Sequence, residues 1–339
     1  MDALRIAVLL PHLGVYGGIR RFLELGRVWT ARGHEVALLT PPTAGAARPW
    51  LPFAGRIGTL DDLPRATWDV LLSPDPALFL QSKATGALRL FYAVLEGAPR
   101  AREAWRSADL VIANSLGMAR HLARHRVRAL HAPGGVNSEF FRPPDPDPRP
   151  ARAGAGEPTR VLVYGRLSRK RKGSWTAVRA VEAAAAASRV PVALTLFDAP
   201  PPGAAPPSFG RTLAVPHQWA LDPTQEELRA LYQSADLFVS AERRAGWSNT
   251  SAEAMACGAA LVCTRSGTED FAENGVTAAT AHWPWTWLLA RKIAPLLLDP
   301  ETRLAIAARG RERIAQFTWE RTADRIERAL DEALARRKR

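Results

Sequence analysis

A chain of 339 residues with 47% hydrophobic content is long enough for two domains of roughly 150 to 170 residues, each burying its own core. Lysine and arginine number 46 against 33 acidic residues, a formal charge of +13. The excess is spread evenly, 19 basic and 13 acidic residues in 1–150 against 27 and 20 in the remainder, which argues against a dedicated nucleic-acid module and leaves anionic substrates or an anionic membrane surface as partners.

The chain opens M-D-A-L-R-I-A-V-L-L-P, whose early acid and short apolar run suit a first strand, Arg5–Leu10, better than a signal peptide. The loop that follows, P-H-L-G-V-Y-G-G, leads into a helix over Gly18–Arg32. Gly17 and Gly18 would let main-chain N–H groups approach a phosphate or a sugar. The spacing is not G-x-G-x-x-G, so a nicotinamide cofactor is rejected. His12 lies in the same loop, as a general base or as a polar lining residue. His34, in R-G-H-E-V, reads as a turn and packing residue.

Further strands read at Glu35–Thr40, Val70–Leu72, Leu88–Val94 and Leu110–Ala113, with helices near 101–108 and 115–125. Glu96, just after the fourth strand, is a candidate for the acceptor side, with a capping role as the alternative. The basic stretch 119–128 and the terminal Arg336-Arg337-Lys338-Arg339 read as a solvated helix face and a frayed tail. Residues 143–159, P-P-D-P-D-P-R-P-A-R-A-G-A-G-E-P-T, read as a linker.

The pattern then restarts: strand Arg160–Tyr164, helix Trp175–Ala187, strand Val192–Phe197, helix Gln225–Ala235, strands Leu237–Ser240 and Ala259–Cys263, and helices after 285. Strand and helix alternation in both halves predicts an α/β protein of two doubly wound parallel sheets, with ligand at their carboxyl edges. Between the first strand and helix of this half, G-R-L-S-R-K-R-K-G places Arg166 and Lys172 where a developing diphosphate charge would need them, or where a basic turn is simply solvated. Between Leu237–Ser240 and Ala259–Cys263, Gly246 permits a sharp turn, and Ser248, Asn249, Thr250 and Ser251 are cap-forming residues ahead of a helix from Ala252 to Cys257, with Glu253 in its first turn. That loop and helix start form an anion site or an ordinary well-capped turn. Cys257 and Cys263 are the only cysteines, too few for a disulfide framework, and point to a reducing compartment. With no stretch of roughly 20 apolar residues, the expectation is a cytoplasmic protein, or one seated peripherally on the inner membrane face. The aromatic run His282-Trp283-Pro284-Trp285-Thr286-Trp287 reads as core, with a lipid-facing surface as the alternative.

Glu253-Ala254-Met255-Ala256-Cys257-Gly258, with Gly246-Trp247-Ser248 ahead of it, resembles the nucleotide-sugar motif of retaining glycosyltransferases with two Rossmann-like domains, the GT-B architecture of glycosyltransferase family 4 (glycosyl transferases group 1). The Gly165-Arg166 and Lys172-Gly173 pairs match the same family, as do 113–122, 133–143, 266–275 and 317–320, so the resemblance covers nearly the whole chain. It implies a first domain over 1–145, a nucleotide-sugar domain over 158–318 and a closing helix over 319–339 that returns to the first domain. It implies transfer of a sugar from a nucleotide-diphosphate sugar to a glycan, lipid-linked or small-molecule acceptor. Arg166 and Lys172 would hold the diphosphate, and Gly17, Gly18, Gly246, Trp247, Ser248, Asn249 and Thr250 would line the donor. Glu253 would hold the ribose. The family's first glutamate, eight residues before Glu253, is replaced by Ala245, and Glu242 is the carboxylate near enough to stand in. No Asp-x-Asp or clustered ligand set calls for a metal, and no cofactor or nucleic-acid partner is expected. A non-enzymatic sugar-nucleotide binder and a sugar-nucleotide epimerase are the alternatives.

Overall fold

The computed structural model describes residues 2–14, 17–44, 49–82, 86–95, 97–153, 156–200, 203–205 and 207–337. They form two compact units, Val136–Gln316 and a second made of Met1–Gly135 with Phe317–Arg339.

The N-terminal unit is built on a seven-stranded sheet: β1 (Arg5–Leu9), β2 (Glu35–Thr40), β3 (Arg56–Thr59), β4 (Val70–Ser73), β5 (Leu88–Ala93), β6 (Leu110–Ala113) and β7 (Leu130–His131). All neighbours run parallel in the order β3-β2-β1-β4-β5-β6-β7. Central parallel strands bury both faces and therefore read as continuous apolar runs. In β1 the alternation splits them: Ile6 and Val8 join a cluster with Phe22, Trp29, Trp319 and Ile326, while Ala7 and Leu9 join one with Leu71, Phe79 and Phe91. The closing helix Trp319–Arg337 thus contributes to the core of this unit. It is tied to the helix Gly17–Ala31 and the residue after it by Arg27–Glu320 at 3.2 Å and Arg32–Asp324 at 2.8 Å. His34 is a packing residue: its Nδ1 accepts from Leu4 N–H at 3.0 Å and its side chain is buried.

The C-terminal unit holds a six-stranded parallel sheet: β8 (Thr159–Tyr164), β9 (Val192–Asp198), β10 (His217–Leu221), β11 (Leu237–Ser240), β12 (Ala260–Thr264) and β13 (Ala279–Ala281), ordered β10-β9-β8-β11-β12-β13. Val161, Val163, Leu196, Val239 and Val262 face the helices Ser174–Ser188 and Thr286–Leu298 in one core. In both sheets the strand order reverses beside the unit's first strand, between β1 and β4 and between β8 and β11. The crevice outside such a reversal is where open α/β sheets bind ligands.

The proline-rich stretch is not a free tether. It carries a short helix, Arg149–Ala153, and packs as part of the C-terminal unit, so that the division falls at Gly135/Val136. The reason is a buried arginine. Arg149 pairs with Asp147 at 2.8 Å and donates to the Cys257 carbonyl at 2.7 Å, capping the helix Asn249–Ala256. Gly258 turns there at φ +87, and any Cβ on it would lie 2.3 Å from the Arg149 guanidinium. The tryptophan run is also not core. Trp283, Trp285 and Trp287 are exposed, because the helix after them buries the stripe Leu289, Ile293, Leu296 and Leu297. Trp287, two residues before Leu289, points about 160° away from it around the helix.

Candidate active site

Three loops at the carboxyl edge of the C-terminal sheet converge on the reversal between β8 and β11. The first follows β8. Gly165 N–H donates to Phe197 O at 2.7 Å, and a Cβ on Gly165 would lie 2.4 Å from the Trp219 ring, so only glycine lets the chain leave the strand here. Arg166 comes next, half-buried. Its Nη1 lies 3.2 Å from Asp198 Oδ1, at the end of β9, and also donates to the Ala199 carbonyl. Its buried Nε has no hydrogen-bond partner. Burial raises the Asp198 carboxyl above its ordinary range, against the opposing pull of Arg166.

The same loop ends in a tight turn, Lys170–Lys172, and a left-handed Gly173 at φ +67. A Cβ at Gly173 would come within 2.0 Å of the Ala241 carbonyl. This contact presses the start of the helix Ser174–Ser188 against the end of β11 and brings Lys172 to Glu242. Lys172 Nζ pairs with Glu242 Oε1, and the ammonium sits 5.3 Å from the centroid of the Tyr164 ring. The Lys172 and Glu242 side chains are 19% and 4% exposed. Glu242 Oε2 is buried with no hydrogen-bond partner, a carboxylate oxygen with acceptor capacity to spare. Burial pushes the neighbouring Tyr164 phenol up to about 12, so it stays protonated at working pH.

The second loop runs from β11 to the helix Asn249–Ala256. Ala245 N–H donates to Ser266 Oγ at 2.8 Å, and Ser248 N–H to Gly267 O at 2.9 Å, so the loop is laid along the third loop, which follows β12. Gly246 is buried in it. The helix begins earlier than the sequence suggests. Asn249, Thr250 and Ser251 are inside it, and Ser248 is the cap residue by backbone alone, its hydroxyl turned to Ser251 Oγ at 2.9 Å. Glu253 therefore lies beyond the first turn. It is buried, and its Oε2 accepts from the Tyr232 hydroxyl at 3.1 Å. Trp247 is 7% exposed and packs edge-on against Phe271 with centroids 4.8 Å apart, which makes it a wall of the loop. Asn249 and Thr250 are half-buried at the helix start. Both thiols, Cys257 and Cys263, are buried and pushed up to about 12 by that burial.

In the N-terminal unit, Gly14 N–H donates to His12 Nδ1 at 3.2 Å in the exposed loop after β1. Gly17 and Gly18 open the helix Gly17–Ala31, and residues 15–16 before them, like Glu96, lie outside the described residues. No group of three or more His, Cys, Asp or Glu side chains suited to a metal occurs among the described residues. Sequence reasoning missed Asp198, Tyr232 and Arg149. Of these only Asp198 left a signal, a lone carboxylate at a strand's carboxyl end.

The loops that carry this site lie within residues 158–299, which match the family model "Glycosyl transferases group 1". The chain carries a glycosyl transferases group 1 domain. It is 30% identical over 251 residues to the D-inositol 3-phosphate glycosyltransferase of Thermobispora bispora, covering 68% of this chain and 57% of that protein. The chain thus spans little more than half the length of the curated relatives it matches. A glycosyltransferase from Rickettsia africae superposes with a TM-score of 0.75 at 16% identity, over 98% of this chain and 99% of that one. HepE of Anabaena, in complex with UDP and glucose, does so with a TM-score of 0.72 at 16% identity, over 97% of this chain and all of the other, 100%. The fold is the GT-B fold of these transferases.

Proposed function

We propose that this protein transfers a sugar, with retention at the anomeric carbon, from a nucleotide-diphosphate sugar to a hydroxyl of a glycan, lipid-linked or small-molecule acceptor. The observation that carries this reading is the pairing at the sheet reversal. Arg166 and Lys172, both held by buried carboxylates, lie in the loop after β8, at the same carboxyl edge as the loop after β11 that leads into the helix Asn249–Ala256, whose cap hydroxyl is turned away. Cations and helix-start N–H groups gathered at one edge suit a departing diphosphate, because they are oriented before charge develops. Uridine diphosphate is the donor nucleotide supported by HepE, which was captured with UDP and glucose. On this reading Glu253, oriented by Tyr232, holds the ribose. Glu242 takes the place of the carboxylate missing at Ala245, its unpartnered Oε2 accepting from a hydroxyl of the donor sugar.

No general base of the protein is needed if the departing phosphate takes the acceptor's proton on the face it leaves. Free nucleoside diphosphate measured across a panel of uridine, guanosine and adenosine diphosphate sugars with acceptors tests the reading, and proton NMR of the product reads the anomeric configuration. Tight binding without release of nucleotide for any pair would replace it with the non-enzymatic binder that Ala245 makes the second reading. An inverted product would overturn retention alone.

A further inference from the structure

Trp283, Trp285 and Trp287 stand outside the site and are 61%, 50% and 53% exposed. Their rings form a row, Trp283 to Trp285 at 6.2 Å between centroids and 19° between planes, then Trp285 to Trp287 at 5.9 Å and 31°. A tryptophan side chain offers roughly 150–250 Å² of surface, so three of them half in water make an apolar patch of a size that marks an interaction surface. The chain around the row is cationic. Residues 274–298 contain no acidic residue but do contain Arg291 and Lys292. Arg243 is exposed beside the row, its Nη2 donating to Pro284 O at 3.4 Å, and its own N–H donates to Arg171 O at 2.7 Å. The loop containing Arg171 is itself without acid, since residues 165–175 hold five bases.

Indoles flanked by guanidinium groups match a bilayer's interfacial zone, where the ring sits at headgroup depth and the cation meets lipid phosphate. A sugar platform would pair its rings with carboxylate or amide side chains for the hydroxyls, and residues 275–298 contain no Asp, Asn, Glu or Gln. We infer that the row Trp283-Trp285-Trp287, with Arg243, is an interfacial anchor that seats the C-terminal unit on an anionic lipid surface. The anchor stands whether or not the transferase reading does.

The test is co-sedimentation of the full chain with vesicles of phosphatidylcholine and phosphatidylglycerol at 7:3, and of phosphatidylcholine alone, together with quenching of the indoles by brominated lipid. The native chain is expected to sediment with the anionic vesicles and to be quenched. Replacing all three, Trp283→Ser, Trp285→Ser and Trp287→Ser, should lower the partition coefficient about tenfold or more while leaving the melting temperature unchanged, since the rings are solvated. Arg243→Gln should lower it by about fivefold, an effect that fades as salt rises. Three results would each overturn the anchor: no binding of the native chain to anionic vesicles at low salt, equal binding by the triple variant, or quenching by soluble oligosaccharides with none by lipid.

Discussion

Lys172→Ala is expected to destabilise the C-terminal unit as well as slow turnover. A lysine in a solvated basic turn could be removed without cost to the fold. Here its ammonium is the cation that compensates Glu242, whose side chain is 4% exposed and whose second oxygen already lacks a partner. Breaking a buried ion pair by removing one member costs roughly 3–5 kcal/mol, because the other charge stays buried. Lys172 keeps 19% of its side chain in water, which places this case at the lower end, about 2–4 kcal/mol. Glu242→Gln alone should cost about 1–2 kcal/mol, since Lys172 can turn toward solvent. The double variant should cost less than the two singles summed, by a coupling of about 1–3 kcal/mol. Urea unfolding followed by tryptophan fluorescence measures all four corners of the cycle, and thermal melting should move by about 2–4 °C per kcal/mol for a unit of this size. If Lys172→Ala unfolds with the native midpoint, or the double variant is worse than both singles summed, the Lys172–Glu242 pair does not hold the turn.

Gly173→Ala should cost at least about 1–3 kcal/mol and weaken nucleotide affinity, because φ +67 is strained for alanine and its Cβ would meet the Ala241 carbonyl at 2.0 Å; calorimetry and nucleotide titration read both. Cys257 and Cys263 should ignore a thiol reagent at pH 8 in the native state and react on unfolding. Their folded values, about 12, lie above the ordinary thiol value of 9.0, so the stability they contribute is complete below pH 9 and is lost as pH rises toward 12, which alkaline melting curves would record. Ala245→Glu should weaken donor binding about tenfold in the native background, where Glu242 would face a second carboxylate, and should not do so with Glu242→Gln; equal loss in both backgrounds would mean Glu242 lies elsewhere than the sugar.

Much of the fold could be read from the chain because its central strands are buried on both faces. Arg5–Leu9, Leu237–Ser240 and Ala260–Thr264 are near-continuous apolar runs, and each ends in a glycine-bearing or polar loop. Arg56–Thr59 and His217–Leu221 could not be read, since edge strands pair on one side only and carry R-I-G-T and H-Q-W-A-L with little alternation. The short helix Arg149–Ala153 was hidden for another reason: a buried arginine within a proline-rich segment is stabilised by a carbonyl more than a hundred residues away. Of the site, sequence could nominate Arg166, Lys172 and Glu242 but not Asp198, nor which carboxylate pairs with which cation. Asp198 ends β9 and Glu242 follows β11, and only the order β9-β8-β11 puts them beside the two cations.

That pairing bears on how a diphosphate would be recognised. Arg166 and Lys172 each carry a carboxylate partner, so neither pair presents a net positive charge before a ligand arrives. A neutral constellation orients a ligand at short range but draws little from a distance. The long-range attraction falls to the overall charge of +13 and to exposed bases such as Arg169, Lys170, Arg243 and Arg244 on the same loops. These two contributions respond differently to salt, because exposed charges are screened beyond about 8 Å at physiological ionic strength while buried pairs are screened much less. Raising sodium chloride from about 0.05 to 0.5 M should therefore slow capture of a nucleotide sugar about tenfold, leaving single-turnover transfer from the bound donor nearly unchanged. Stopped-flow binding and rapid-quench transfer separate the two. If salt suppressed the chemical step as strongly as capture, the cations that stabilise the departing diphosphate would have to be solvated ones, and the assignment of that role to Arg166 and Lys172 would be wrong.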